Sequence, residues 1–161
     1  KDQTFLQNKK IIRTINKNFK VKNFHGLAID SRVIKKGNLF LTIRGKKNNG
    51  INFVPKALKK GAKYIISSKN LKKYKNKFLK VENETRFLNK YAELKRDNTR
   101  SKIIAITGSA GKTSLKNLIK DLLDNFGDTL CSPKSYNNHY GVPLSLSQLK
   151  TSHEFGVLRL A

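Results

Sequence analysis

Methionine is absent from the sequence, its first position included, so the chain is expected to be a fragment of a longer protein. Cysteine is nearly absent. Cys131 stands alone, which excludes an intrachain disulfide and argues against a zinc cluster. No apolar run approaches the ~20 residues needed to span a bilayer. The lysine-rich N-terminus lacks the apolar stretch of a signal peptide, so nothing points to export, and a cytoplasmic location is expected. Acidic residues are scarce, with 10 Asp and Glu against 35 Lys and Arg, for a formal net charge of +25.

Such an excess of base raises nucleic acid as a partner, because lysines neutralise phosphates and release counterions. The lysines are spread along the whole chain, however, in pairs such as Lys9-Lys10, Lys46-Lys47 and Lys72-Lys73, often beside asparagine. No arginine-rich arm, zinc-finger spacing or RNP-like aromatic strand accompanies them. Nucleic acid is therefore not the expected partner, although the charge favours anionic ligands through long-range steering. A length of 161 residues with 37% hydrophobic content suits one ordinary domain or two small ones.

What is present is a phosphate-binding turn. Ile103-Ile104-Ala105-Ile106 reads as a buried strand, Thr107-Gly108-Ser109-Ala110-Gly111 as a glycine turn, and Lys112-Thr113-Ser114 as a helix start. Small residues let backbone N–H groups approach phosphate oxygens, and a helix N-terminus faces the anion. Gly108, Ser109, Ala110, Gly111, Lys112, Thr113 and Ser114 are thus the candidate ATP-binding residues. Lys112 would supply a point charge for the β/γ-phosphates and Thr113 a hydroxyl for Mg²⁺. The general pattern asks for a glycine where Ile106 stands, so an ordinary strand-to-helix turn is the competing reading. Leu115, Leu118, Ile119, Leu122, Leu123 and Phe126 recur at helical spacing after the turn, with Gly127 at the helix end.

Before the turn lie short alternating elements. Strands are expected at 39–43, 64–66 and 78–81. A short helix over 53–60 should bury Phe53, Ala57 and Leu58, and a second runs through Phe87, Leu88, Tyr91, Ala92 and Leu94. The polar run 95–101 reads as a linker. The division is therefore placed between a domain of residues 1–98 and the first part of another at 99–161. The class is α/β: a small N-terminal domain, then the start of a parallel-sheet, phosphate-loop-type domain that the chain leaves incomplete.

Beyond the second domain's first helix, residues 132–143 are polar and turn-rich, and 155–158 read as a strand. Loops at the C-terminal ends of strands carry specificity groups in α/β sheets. Asn137 and Asn138 offer paired amides that could fix a polar ligand, or simply turn chemistry. His139 and His153 are isolated, and a surface or capping role is expected for both.

Taken together these segments resemble the Mur ligase family of ATP-dependent amide-bond-forming enzymes. The resemblance rests on Ile29-Asp30-Ser31-Arg32 with Gly37-Asn38-Leu39-Phe40, Gly45, Gly50, Phe53, Ala57 and Gly61-Ala62. It rests also on TGSAGKTS at 107–114, the family's own form of the loop, and on Asn137-Asn138-His139-Tyr140-Gly141-Val142-Pro143-Leu144. It implies an N-terminal domain that holds the UDP end of the substrate, with Ser31 and Arg32 as substrate-binding residues. Asn137 and Asn138 would line the substrate side of the ATP domain, and Lys112 and Thr113 would be catalytic. ATP and Mg²⁺ are implied, the metal held by Thr113.

The activity implied is addition of D-alanyl-D-alanine to UDP-MurNAc-tripeptide through an acyl phosphate, by a monomer. The sibling reaction that adds the third peptide residue stays open, as does a non-catalytic nucleotide- or UDP-sugar-binding remnant. Two departures from the family pattern bear on this. Ser135 stands where the family often has asparagine. Arg159 stands where the family has a glutamate that binds Mg²⁺, which should repel the metal and remove most turnover.

Overall fold

A computed structural model describes residues 3–45, 48–133 and 140–160 of the chain. The elements run α1 (Gln3–Ile15), β1 (Leu27–Ala28), β2 (Leu39–Leu41), a 3-10 turn (Gly50–Phe53), α2 (Val54–Lys59) and β3 (Tyr64–Ser67). A second 3-10 segment (Lys72–Lys77), β4 (Phe78–Lys80) and α3 (Glu84–Asp97) follow. Then come β5 (Lys102–Ile106), α4 (Lys112–Leu123), β6 (Thr129–Cys131), α5 (Gly141–Ser147) and β7 (Phe155–Arg159). The chain divides into two compact units, one ending at Tyr91 and the other beginning at Ala92, inside α3.

The first unit is built on a wholly parallel sheet in the order β1-β2-β3-β4. Its register sets Ala28, Phe40 and Ile65 side by side. Because side chains alternate along a strand, these share one face. Val54 and Ala57 of α2 join them in a buried apolar cluster with Ile34 and Ala62. The neighbours Leu39, Leu41 and Ile66, on the opposite pleat, are fully buried too. Tyr91 of α3 donates to Asn8 Oδ1 of α1 at 2.9 Å, so the buried phenol and the buried amide satisfy each other.

Phe53 is not part of that core, being 36% exposed. The turn over Gly50–Phe53 is 3-10, and the α-helix proper starts at Val54 with Pro55 in its first turn. The inward positions thereby become Val54 and Ala57. The run read as a linker also begins differently. Lys95, Arg96 and Asp97 complete α3, and Lys95 is buried.

The second unit carries a parallel sheet in the order β5-β7-β6. β5 and β6 each pair on one side only among the described residues. The helix expected after the glycine turn is α4, but its apolar stripe is largely in solvent. Leu115, Leu118, Leu122 and the following Phe126 are exposed, while Lys116 is buried and Ile119 and Leu123 half-buried. The apolar surface of α4 is wider than this sheet covers. Among the described residues no helix is long and apolar enough to cross a membrane.

Candidate functional site

The chain leaves β5 at Ile106, turns through 107–111 and enters α4 at Lys112. An apolar strand end fixes one side of the turn and a helix start the other. The turn itself, with Gly108, Ser109 and Ala110, is exposed. Gly111 is the helix cap, with φ at +71°, in the left-handed region that an L side chain adopts at a cost. The N–H groups of Lys112, Thr113 and Ser114 occupy the first turn of α4, where a helix leaves its donors without intrahelical acceptors. The loop thus has the geometry of an anion cradle.

Three cations border it. Lys112 Nζ folds back onto the carbonyl oxygen of Gly108. Lys116, one turn into α4 and only 2% exposed, donates to the carbonyl oxygen of Ser132. Arg159, at the end of β7 and in register with Ile106, donates from Nη1 to Thr113 Oγ1 at 3.0 Å. Its backbone N–H donates to Ser132 Oγ at 3.0 Å, and Ser132 N–H in turn donates to the carbonyl of Val157 at 3.0 Å. The ends of β5, β6 and β7 therefore converge on the first turn of α4, which is where α/β sheets bind ligands. Lys116 is not singled out by the sequence, and Arg159 is, as a cation at the position where the family has a Mg²⁺-binding glutamate. Lys116 lies at i+4 from Lys112, a spacing that places both on one helix side.

This arrangement is the test for the Mg²⁺ that the sequence resemblance implies. Mg²⁺ takes oxygen ligands, usually one or two carboxylates with phosphate oxygens and water. Thr113 Oγ1 is instead engaged by a guanidinium. No group of three or more His, Cys, Asp or Glu able to hold a metal exists among the described residues. The residues present do not fit the metal.

The two other candidate residues sit in the first unit, beyond the C-terminal end of β1. Ser31 is 4% exposed. Arg32 turns back on Asp30, with Nη2 to Oδ2 at 2.8 Å and its backbone N–H to Oδ1 at 2.8 Å. The Arg32 hydrogen bonds hold the Asp30 carboxyl below its usual range. Close to the ends of β2 and β3 lies a polar cluster that the sequence did not reveal. Glu84 Oε1 accepts from Ser68 N–H at 2.7 Å and from Thr42 Oγ1 at 3.1 Å, and Thr42 Oγ1 donates to or accepts from Ser67 Oγ at 2.7 Å. Burial raises the Glu84 pKa, but the hydrogen bonds from Ser68 and Thr42 outweigh it and the net shift is downward.

Asn137, Asn138 and His139 lie outside the described residues. His153 is buried rather than on the surface. Its Nδ1 accepts the N–H of Lys150 at 2.9 Å, closing the turn before β7.

Known proteins share this layout. A family model described as "Mur ligase family, catalytic domain" matches residues 23–96, and one described as "Mur ligase middle domain" matches residues 106–160. The UDP-N-acetylmuramoyl-tripeptide--D-alanyl-D-alanine ligase of Buchnera aphidicola subsp. Acyrthosiphon pisum is 38% identical over 134 residues, which are 83% of this chain and 29% of that protein. A crystal structure of MurF from Acinetobacter baumannii superposes with a TM-score of 0.76 at 26% identity, over 98% of this chain and 35% of that one. MurF ligase from Thermotoga maritima, solved in complex with ADP, gives a TM-score of 0.66 at 30% identity, over 84% of this chain and 31% of that one. The chain thus spans about a third of the length of these relatives. With a matching model on each side of the division and the glycine turn leading the second, the chain belongs to the Mur ligase family.

Proposed function

We propose that the chain is the first part of an ATP-dependent ligase that adds D-alanyl-D-alanine to UDP-MurNAc-tripeptide during peptidoglycan precursor synthesis. Residues 1–98 would form the domain holding the UDP end of the substrate through Ser31 and Arg32. Residues 99–161 would begin the ATP domain, with Asn137 and Asn138 on its substrate side. The observation that carries this reading is the cradle of 107–114 between β5 and α4, bordered by Lys112, Lys116 and Arg159. Support comes from the name of the Buchnera relative and from the ADP in the Thermotoga structure.

In the proposed reaction the terminal carboxylate attacks the γ-phosphorus of ATP, giving an acyl phosphate and ADP. The amine of D-alanyl-D-alanine then displaces phosphate. Two anions meet in the first step, so charge neutralisation and alignment decide the rate. Lys112 and the backbone N–H groups of the loop are the residues placed to supply both. The reading keeps the enzyme a cytoplasmic monomer. Mg²⁺ would join ATP at Thr113 only if Arg159 released that hydroxyl.

One observation favours a second reading, a binding remnant that holds nucleotide without turnover: Arg159 itself on Thr113. Calorimetric titration with ADP and, separately, with UDP-MurNAc-tripeptide tests the binding common to both. Lys112→Ala should remove the first and spare the second. In a chain extended to the relatives' length, ADP release stimulated by D-alanyl-D-alanine would support the ligase. Stimulation by a third-residue amino acid instead would move the assignment to the sibling reaction. Binding with no ADP release, even after Arg159→Glu, would support the remnant.

A further inference from the structure

Arg159 is fixed from several sides. Its backbone is locked by the pairing with Ile106 and by Ser132 Oγ, and its Nη1 by Thr113 Oγ1. Its Nε is buried and has no hydrogen-bond partner among the described residues. A buried N–H of a permanently charged group without an acceptor is costly, and so calls for one. Lys112 and Lys116 add two more cations, whose partners among the described residues are the neutral carbonyl oxygens of Gly108 and Ser132. Among the described residues the cradle is therefore a cationic site without a compensating carboxylate, and its hydroxyl, the one expected to bind metal, faces a guanidinium.

We infer that this loop binds the diphosphate of a nucleotide without a divalent metal, the Arg159 guanidinium supplying the charge that the metal would bring. The inference rests on the reading of 107–114 as a nucleotide site and goes beyond it. A guanidinium forms short, charge-assisted hydrogen bonds to phosphate oxygens, often in pairs, and does not titrate. Placed at Thr113, it neutralises a phosphate as a metal ion would, and it repels a second cation. The ligand class is an uncomplexed nucleoside diphosphate or triphosphate rather than its Mg²⁺ complex.

The test titrates the 161-residue chain with ADP by calorimetry, once in EDTA and once in excess Mg²⁺. The affinities should agree within about twofold, a gap of less than half a kcal/mol. A wild-type affinity that rises about tenfold or more with Mg²⁺ would overturn the inference while leaving the nucleotide site standing. No ADP binding in either buffer, by a chain whose thermal melt shows it folded, would overturn the nucleotide reading as well. In Arg159→Glu, ADP binding in EDTA should weaken at least about tenfold and recover on adding Mg²⁺. Arg159→Gln keeps a neutral amide near Thr113 and serves if the glutamate variant does not fold; it should lose affinity in EDTA by a similar factor. Unchanged affinity in EDTA for a folded variant would assign Arg159 a purely structural place and end the proposal.

Discussion

Lys116, inside the first half of α4, donates from its ammonium to the carbonyl oxygen of Ser132, just past the end of β6. No carboxylate balances it among the described residues. A buried ammonium held by one neutral oxygen is an expensive arrangement, and an anion in the neighbouring loop would offset part of that cost.

Lys116→Met should therefore separate stability from binding. It removes the buried charge, keeps an unbranched side chain one atom shorter, and leaves one carbonyl without a donor. Stability should stay within about 1 kcal/mol of wild type, since loss of desolvation cost and loss of a hydrogen bond oppose each other. ADP affinity should fall about five- to tenfold, near 1 kcal/mol. Thermal melts beside calorimetry measure both. A large loss of stability with unchanged ADP affinity would make Lys116 a structural lysine only.

Lys112→Ala should act on binding alone. The Lys112 side chain makes its hydrogen bond within its own loop, to the carbonyl oxygen of Gly108. Its removal should cost less than about 0.5 kcal/mol of stability, as for other surface changes. Loss of a charge-assisted contact to phosphate should weaken ADP at least about tenfold. Equal ADP affinity in wild type and variant would remove Lys112 from the site.

The contrast between these lysines shows what the sequence made legible. Lys112 follows a glycine turn, and strand, turn and helix together announced it. Lys116 became visible only through the position of β6, and Arg159, which the sequence marked as a departure at a metal-binding position, showed its contact with Thr113 only through the pairing of β5 with β7, which no local pattern encodes. The same holds for α1. Its buried positions Thr4, Asn8, Ile11 and Ile12 have helical spacing, but two are polar, and Asn8 is acceptable inside because Tyr91 donates to its Oδ1 and its Nδ2 donates to the carbonyl of Phe24. α5 was hidden by Gly141 and Pro143, which read as turn residues. Pro143 sits in the first turn, where a missing N–H costs nothing. β1 and β6 span two and three residues, too short for alternation to register.

Two glycines should respond to alanine for different reasons. At Gly111 a Cβ would meet nothing within 4 Å, so only the positive φ opposes substitution. Gly111→Ala should cost about 1–2 kcal/mol, the usual penalty of the left-handed region. At Gly50 a Cβ would lie 2.6 Å from the carbonyl carbon of Thr42 and 2.7 Å from the carbonyl oxygen of Ile43. Backbone cannot yield as a side chain can, so Gly50→Ala should cost about 3 kcal/mol or more. Urea unfolding compares the two, and a Gly111 variant less stable than the Gly50 variant would contradict the geometry.

Glu84 makes stability depend on acid. Its folded pKa lies below the ordinary value of 4.5, because hydrogen bonds from Ser68 and Thr42 overcome the effect of burial. The unfolded chain therefore takes up a proton at higher pH than the folded one. The stabilisation is fully present above pH 4.5 and is lost as pH falls through the lower folded value. Glu84→Gln presents a neutral amide to the same donors. It should destabilise the protein by about 1–2 kcal/mol at pH 7, within the range for a hydrogen bond to a charged group reduced for partial exposure. As pH falls through the folded value the wild-type carboxyl approaches its own neutral form, and the gap between the two proteins should narrow. Urea titrations of both proteins at pH 7 and at a series of lower pH values measure the gap. A difference that is constant with pH would mean that Glu84 contributes shape rather than charge where Thr42, Ser67 and Ser68 meet beside β3.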